Sequence, residues 1–219
     1  ILKNIDLYKD RAKNIDLIWC NQVTNILEQI TNKSEYHSIN DIGCNYGQLF
    51  KELKRVKIDN KYDYKGYDID EKFLEIAKES FLELKDKVSI LNIETETPPS
   101  AQITICSATF EHLDNPYQGL HNLFESTSEH LILRTFIGAE NIRFVQSDSR
   151  FVDHPYNVNQ FELFEMSQKM FEKGFSFCCI PDHATDMSAK YEVSKGSGVI
   201  RQMFIIVASR TSKSRNNSF

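Results

Sequence analysis

The chain has 219 residues, 41% of them hydrophobic, enough to bury one sizeable core as a single domain. Its formal net charge of -5 argues against a broad nucleic-acid-binding face, and no apolar run reaches the length of a membrane span. Five cysteines, an odd number without a CxxC pair, suit reduced thiols in a cytoplasmic protein and fit neither a disulfide framework nor a zinc site.

Residues 1–35 predict a helical cap. Leu7, Ala12, Ile15, Ile18, Val23, Ile26 and Ile30 form a helical stripe that breaks into two helices, and Tyr8 or Arg11 on that cap is a candidate lid over a ligand. YHSINDI then reads as a strand, and Leu49, Phe50, Leu53 and Val56 open a helix beyond it. Between them lies DIGCNYG. Strand, glycine loop and helix make the turn in which nucleotide-type ligands bind: Gly43 lets the backbone approach a ligand, Gly47 permits a φ that other residues resist, and Asn45 suits a left-handed conformation.

YDYKGYDI alternates and ends in Asp68, about 20 residues past the loop, where a carboxylate can accept bonds from both hydroxyls of a ribose. Asp70 is better placed to cap the helix DEKFLEIAKESFLEL, which leaves Asp68 free for ligand. VSILNI is a short third strand, with Asn92 and Ile93 at its exit, placed to pair with and pack on an adenine edge. ITICSATFEHLDNP supplies the fourth strand and its loop, carrying Ser107 and His112, and a helix begins after Pro116. HLILRTFIG is the fifth strand.

Residues 138–157 lose clear periodicity and gather Arg143, Arg150, Asp153, His154 and Tyr156; a structureless insertion of that length is often a binding loop, here for an acceptor. A helix over 158–173 ends at Lys173-Gly174, FSFCCI and QMFIIVAS are the last two strands around a polar loop, and 211–219 is a frayed tail. The resulting division is a cap over 1–35, an α/β domain over 36–210 with its insertion at 138–157, and the tail. Strands alternating with helices predict an open, largely parallel sheet with its ligand at the carboxyl ends of the strands, where Asp41, Gly43, Asp68, Asn92, Ser107 and His112 converge.

These motifs resemble those of the class I S-adenosylmethionine-dependent methyltransferases, particularly the small-molecule group. DIGCNYG is similar to their acid-x-Gly-x-x-x-Gly first motif, GYDID to their second-strand acid, and CSATFEHLDNP to their fourth-strand motif ending in Glu-His-Leu; the resemblance covers about residues 36–135. It implies a Rossmann-like, mostly parallel seven-stranded sheet whose last strand is antiparallel. It also implies that the loop Asp41–Gly47, with Cys44 and Asn45, holds the methionine part of S-adenosylmethionine. Asp68 then holds the ribose, Ile69 and Ile93 sandwich the adenine with Asn92 at its edge, and Ser107 sits near the sulfonium.

Spacing separates this cofactor from a dinucleotide, whose Gly-x-Gly-x-x-Gly fingerprint brings backbone against a pyrophosphate; here Asn45 stands at the second glycine. Some related enzymes bind a divalent metal through Glu-x-x-Glu-His, but the matching run is Ala108-Thr109-Phe110-Glu111-His112, and two ligands make a poor hard-cation site, so no metal is expected. His112 is the candidate general base if the acceptor is a hydroxyl. The reading is a methyltransferase acting on O or N of a small polar or sugar-like acceptor met by Arg143, His154 and Tyr156, with no nucleic-acid or membrane partner. The alternatives are a non-catalytic scaffold that binds the same cofactor and, less favoured by the spacing, a nucleotide-cofactor oxidoreductase.

Overall fold

The computed structural model describes residues 5–32, 34–147 and 154–211. Arg150 and Asp153, and the tail from residue 212 onward, lie outside the described residues.

Two helices, α1 (Ile5–Asn14) and α2 (Ile18–Ile30), precede β1 (His37–Ile42). β1 lies between β2 (Tyr62–Asp68) and β4 (Ala101–Ser107), parallel to both; β3 (Val88–Ile90) pairs beyond β2, and β5 (Thr127–Gly138) beyond β4. On the far side of β5, β9 (Met203–Arg210) runs antiparallel to it, and β8 (Phe175–Pro181) runs antiparallel to β9. The main order is thus β3-β2-β1-β4-β5-β9-β8, a Rossmann-like sheet completed by the late hairpin that the sequence predicts.

Strands covered on both faces need apolar residues at consecutive positions, and these have them. Ile103, Ile105, Ile205 and Val207 pack with α2, α3 (Gln48–Arg55) and α4 (Glu71–Ser80), while Cys106, Leu133, Ile206 and Ala208 pack with α5 (Pro116–Ser126) and α6 (Leu163–Glu172). α1 stands apart from both layers: Tyr8 and Ala12 make a small separate cluster with Tyr46 and Ile76, and Tyr8 sits edge-on to Phe73 at 4.9 Å. Among the described residues no helix is long and apolar enough to cross a membrane.

Two elements differ from the sequence reading. From within the 138–157 insertion to just beyond it, β6 (Ile142–Gln146) pairs antiparallel with β7 (Tyr156–Glu162), from Ile142 opposite Gln160 to Gln146 opposite Tyr156, which brings the sheet to nine strands among the described residues rather than seven. The pattern is hidden in the sequence because polar Asn159 is buried while Val145 is exposed, so hydropathy does not follow the pleat. For the same reason the helix expected from residue 158 starts only at Leu163. β7 also pairs with Ile137 and Gly138 of β5, beyond Arg134, where the β4 pairing ends; the hairpin therefore rises past the carboxyl end of β4.

Candidate active site

The loop after β1 is built from left-handed residues: φ is +75° at Gly43, +53° at Asn45 and +80° at Gly47, which is where the sequence places its glycines and asparagine. Gly43 N–H and Cys44 N–H both donate to the Tyr67 carbonyl, at 2.7 and 2.9 Å, pinning the loop to the end of β2. The reason for Gly43 differs from the sequence reading. A Cβ there would lie 1.9 Å from Thr109 Oγ1, so the glycine makes room for a side chain of the β4 loop rather than for a ligand alone.

Asp68 ends β2 beside this loop and does not stand free. Its Oδ2 accepts from Asn45 N–H at 2.9 Å and its Oδ1 from Asp70 N–H at 3.0 Å, so the acid both shapes the glycine loop and lines the cavity above it. Burial raises its pKa to about 6, against the pull of those backbone donors. Asp70 caps α4 through Lys72 N–H, as its position predicts. Asp41, one pleat below, is buried away from the cavity; burial raises its pKa to about 7 although Tyr64 donates to its Oδ2 at 2.6 Å.

These elements surround a cavity of about 630 Å³ at the carboxyl ends of the strands, a size suited to a cofactor with an acceptor. Gly43, Asn45, Asp68, Asn92 and Ser107 line one part of it, and exposed Ile69 and buried Ile93 contribute apolar surface. Ser107 Oγ is buried and has no hydrogen-bond partner, a polar atom waiting at the cavity wall. His112, His154 and Tyr156 line the other part, with the His112 and Tyr156 rings edge-on at 5.0 Å. Tyr8 reaches the cavity from α1.

Four expected site residues do not line the cavity. Asp41 braces the strand from beneath, and Cys44 turns its thiol into the core against Gly66, where a Cβ would come within 2.8 Å of the sulfur. Gly47 starts α3, with Leu84 against the place of its missing side chain. Arg143 is a clip: its Nε donates to Asn157 Oδ1 at 3.2 Å and its Nη1 to the Asp114 carbonyl at 2.9 Å, tying the hairpin to the β4 loop. Sequence reasoning missed Thr109, Asp114 and Asn157, which do line the cavity. The first two lie inside the quoted SATFEHLDNP run, so that motif carried a signal for them; Asn157 carried none without the hairpin register.

Ala108 carries an unusual φ of +53° at the cavity wall. Among the described residues no cluster of three His, Cys, Asp or Glu is placed to hold a metal ion.

A mostly parallel sheet with a left-handed glycine loop after its first strand, an acid closing the second and a cavity at the switch point defines a Rossmann-like fold. Residues 40–129 match the family model described as a methyltransferase domain. Similar solved structures include a SAM-dependent methyltransferase from Methanosarcina mazei, at 16% identity, covering 84% of this chain and 96% of that one with a TM-score of 0.60. Another is magnesium protoporphyrin IX methyltransferase from Synechocystis PCC 6803 with bound SAH, at 14% identity, covering 95% and 86%, TM-score 0.57. A third is the cyclase SpnF, at 12% identity, covering 87% and 81%, TM-score 0.59. No curated protein matches the sequence. The family match over residues 40–129 and the likeness in fold support a class I, Rossmann-like S-adenosylmethionine-dependent methyltransferase. At these identities the structural likeness is one of fold, and a cyclase among the neighbours shows that the fold alone does not set the reaction.

Proposed function

We propose that this protein binds S-adenosylmethionine and transfers its methyl group to an O or N atom of a small, polar, sugar-like acceptor. The observation that carries the reading is the single cavity shared by the loop and strand-end residues Gly43, Asn45, Asp68, Asn92 and Ser107 and by the imidazole and phenol groups of His112, His154 and Tyr156. Ser107 Oγ, buried without a partner, and the remaining lone pairs of Asp68 fit a polar cofactor, and Ile69 and Ile93 fit the faces of its adenine.

When bound, the cofactor supplies a methyl group already activated on a sulfonium. What the chain adds is position: an acceptor held in line with that carbon and shielded from water, an effect able to contribute roughly 7–11 kcal/mol. A hydroxyl acceptor must also lose a proton, and His112 at the cavity wall takes it in this reading. The cavity favours a neutral acceptor over an anion, because Asp68, Glu94 and Asp114 line it and, among the described residues, no Lys or Arg does. Aromatic Tyr156 beside polar Asp114 and Asn157 suits a hydroxyl-rich molecule that presents both an apolar face and hydrogen-bonding edges.

Calorimetric titration with S-adenosylmethionine, followed by an acceptor screen that reads released S-adenosylhomocysteine, tests the proposal. Saturable binding with turnover on neutral polyols or sugars is the expected result. Binding with no turnover across the screen would favour the scaffold alternative, and tight binding of a nicotinamide dinucleotide instead would overturn the cofactor assignment.

A further inference from the structure

His112 lies in a single 3-10 turn, Phe110–His112, and its side chain is 40% exposed, so nothing in that turn alone holds the ring in one state. What holds it comes from β7. The Nδ1 of His112 is 3.0 Å from the main-chain carbonyl of Asn157, a group that can only accept, so the proton of the neutral ring sits on Nδ1 and Nε2 keeps a lone pair. Glu111 Oε1, 3.9 Å from Nε2, is beyond hydrogen-bond range and does not reverse that assignment.

Two residues along the same strand, Asn159 is buried and its Nδ2 donates to both the Glu111 and the Leu113 carbonyls, each at 2.9 Å. These are the residues on either side of His112. A carboxamide has two N–H bonds on one nitrogen, so it bridges two carbonyls that a hydroxyl or carboxylate cannot bridge. Asn157 and Asn159 lie two residues apart in β7, so the carbonyl that orients the ring and the amide that anchors its turn belong to one strand, itself paired with β6 and β5.

We infer that Asn159 is a positioning residue: it anchors the turn bearing His112 against β7, so that the Asn157 carbonyl holds the imidazole in its Nδ1–H form with Nε2 bare to receive a proton. The inference rests on the proposed role of His112 and adds the device that makes the ring basic at the correct nitrogen. Without the anchor the ring is free to exchange tautomers, and a share of the molecules presents a proton where a lone pair is required.

The test is long-range proton–nitrogen NMR on protein labelled with 15N-histidine, with the His112 signals identified by their loss in His112→Gln. Wild-type protein should show a protonated Nδ1 and an unprotonated Nε2 at His112. Asn159→Ala and Asn159→Asp should convert that pattern to a tautomer mixture or to the Nε2–H form while calorimetric affinity for S-adenosylmethionine is unchanged; Asn159→Ser, which retains a donor, takes their place if they do not fold. A wild-type ring carrying its proton on Nε2, or an unchanged Nδ1–H ring in a folded Asn159 variant, overturns the inference. Failure of wild-type protein to bind S-adenosylmethionine refutes the proposed function instead and leaves the tautomer result to stand or fall by itself.

Discussion

Thr109 and Gly43 occupy each other's space, and that pair governs the first loop more directly than ligand contact does. Alanine at 43 would carry a strained left-handed φ, costing about 1–2 kcal/mol, before its Cβ met Thr109 at 1.9 Å. Gly43→Ala should therefore lower the melting temperature of the apoprotein by at least about 2–4 °C per kcal/mol lost, and Thr109→Gly in the same chain should recover part of it. An apoprotein melting as wild type would show that the loop yields at no cost. Asp68 has two duties that separate by substitution. Asp68→Ala removes the acceptor for Asn45 N–H as well as any bond to a cofactor, and losing charge-assisted bonds of roughly 1.5–3 kcal/mol should weaken S-adenosylmethionine about ten- to a hundredfold. Asp68→Asn retains one acceptor oxygen and should fall between the two; calorimetry showing undiminished affinity in folded Asp68→Ala would remove the residue from the site.

At the scale of elements, two pieces added to the main sheet, a hairpin wall and a helical cover, both reach the one cavity. The wall is the β6–β7 hairpin, bound to the β4 loop through Asn157, Asn159 and Arg143. The cover is α1, whose contacts among the described residues include the small cluster around Tyr8 and an exposed Lys9–Glu79 pair that contributes little. Tyr8→Ala should release α1 alone: hydrogen exchange across residues 5–14 should approach that of an unfolded segment while β1, β4 and β5 stay protected. Loss of protection throughout the sheet would instead make α1 part of the main cooperative unit.

Across the whole molecule, buried carboxylates set opposing pH trends. Asp41, at about 7, and Asp68, at about 6, are raised by burial above an ordinary value of 3.8, so each binds its proton more tightly in the folded state. Their contribution is fully present below about pH 4 and is lost as pH rises through 6 and 7. Asp182 runs the other way. Burial would raise it, but the hydrogen bond and charge of Arg134, with Thr185, hold it below the ordinary value, so its contribution is present at neutral pH and lost in acid. Asp41→Asn can still accept from Tyr64 yet carries no charge, and it should gain up to about 4 kcal/mol on wild type between pH 4 and pH 8. Parallel denaturation curves at both pH values would mean that Asp41 does not titrate in this range. Asp182→Ala, by leaving the buried Arg134 guanidinium unpaired, should cost about 3–5 kcal/mol at neutral pH in chemical denaturation.

The residues alone were enough for the main sheet, its glycine loop and the convergence of Gly43, Asp68, Asn92, Ser107 and His112, though not of Asp41, because each rests on local chemistry: a left-handed φ, a strand end, a run of apolar residues buried on both faces. Only the tertiary structure decided which neighbours those residues would meet. That Gly43 yields to Thr109, that Asp68 is shared with Asn45, and that Arg143 clips a hairpin instead of lining the cavity all depend on groups far apart in the chain. The β6–β7 hairpin was unreadable for the same physical reason. Its buried Asn159 is satisfied by two carbonyls 46 and 48 positions away, so a residue that reads as solvent-exposed in sequence belongs to the interior.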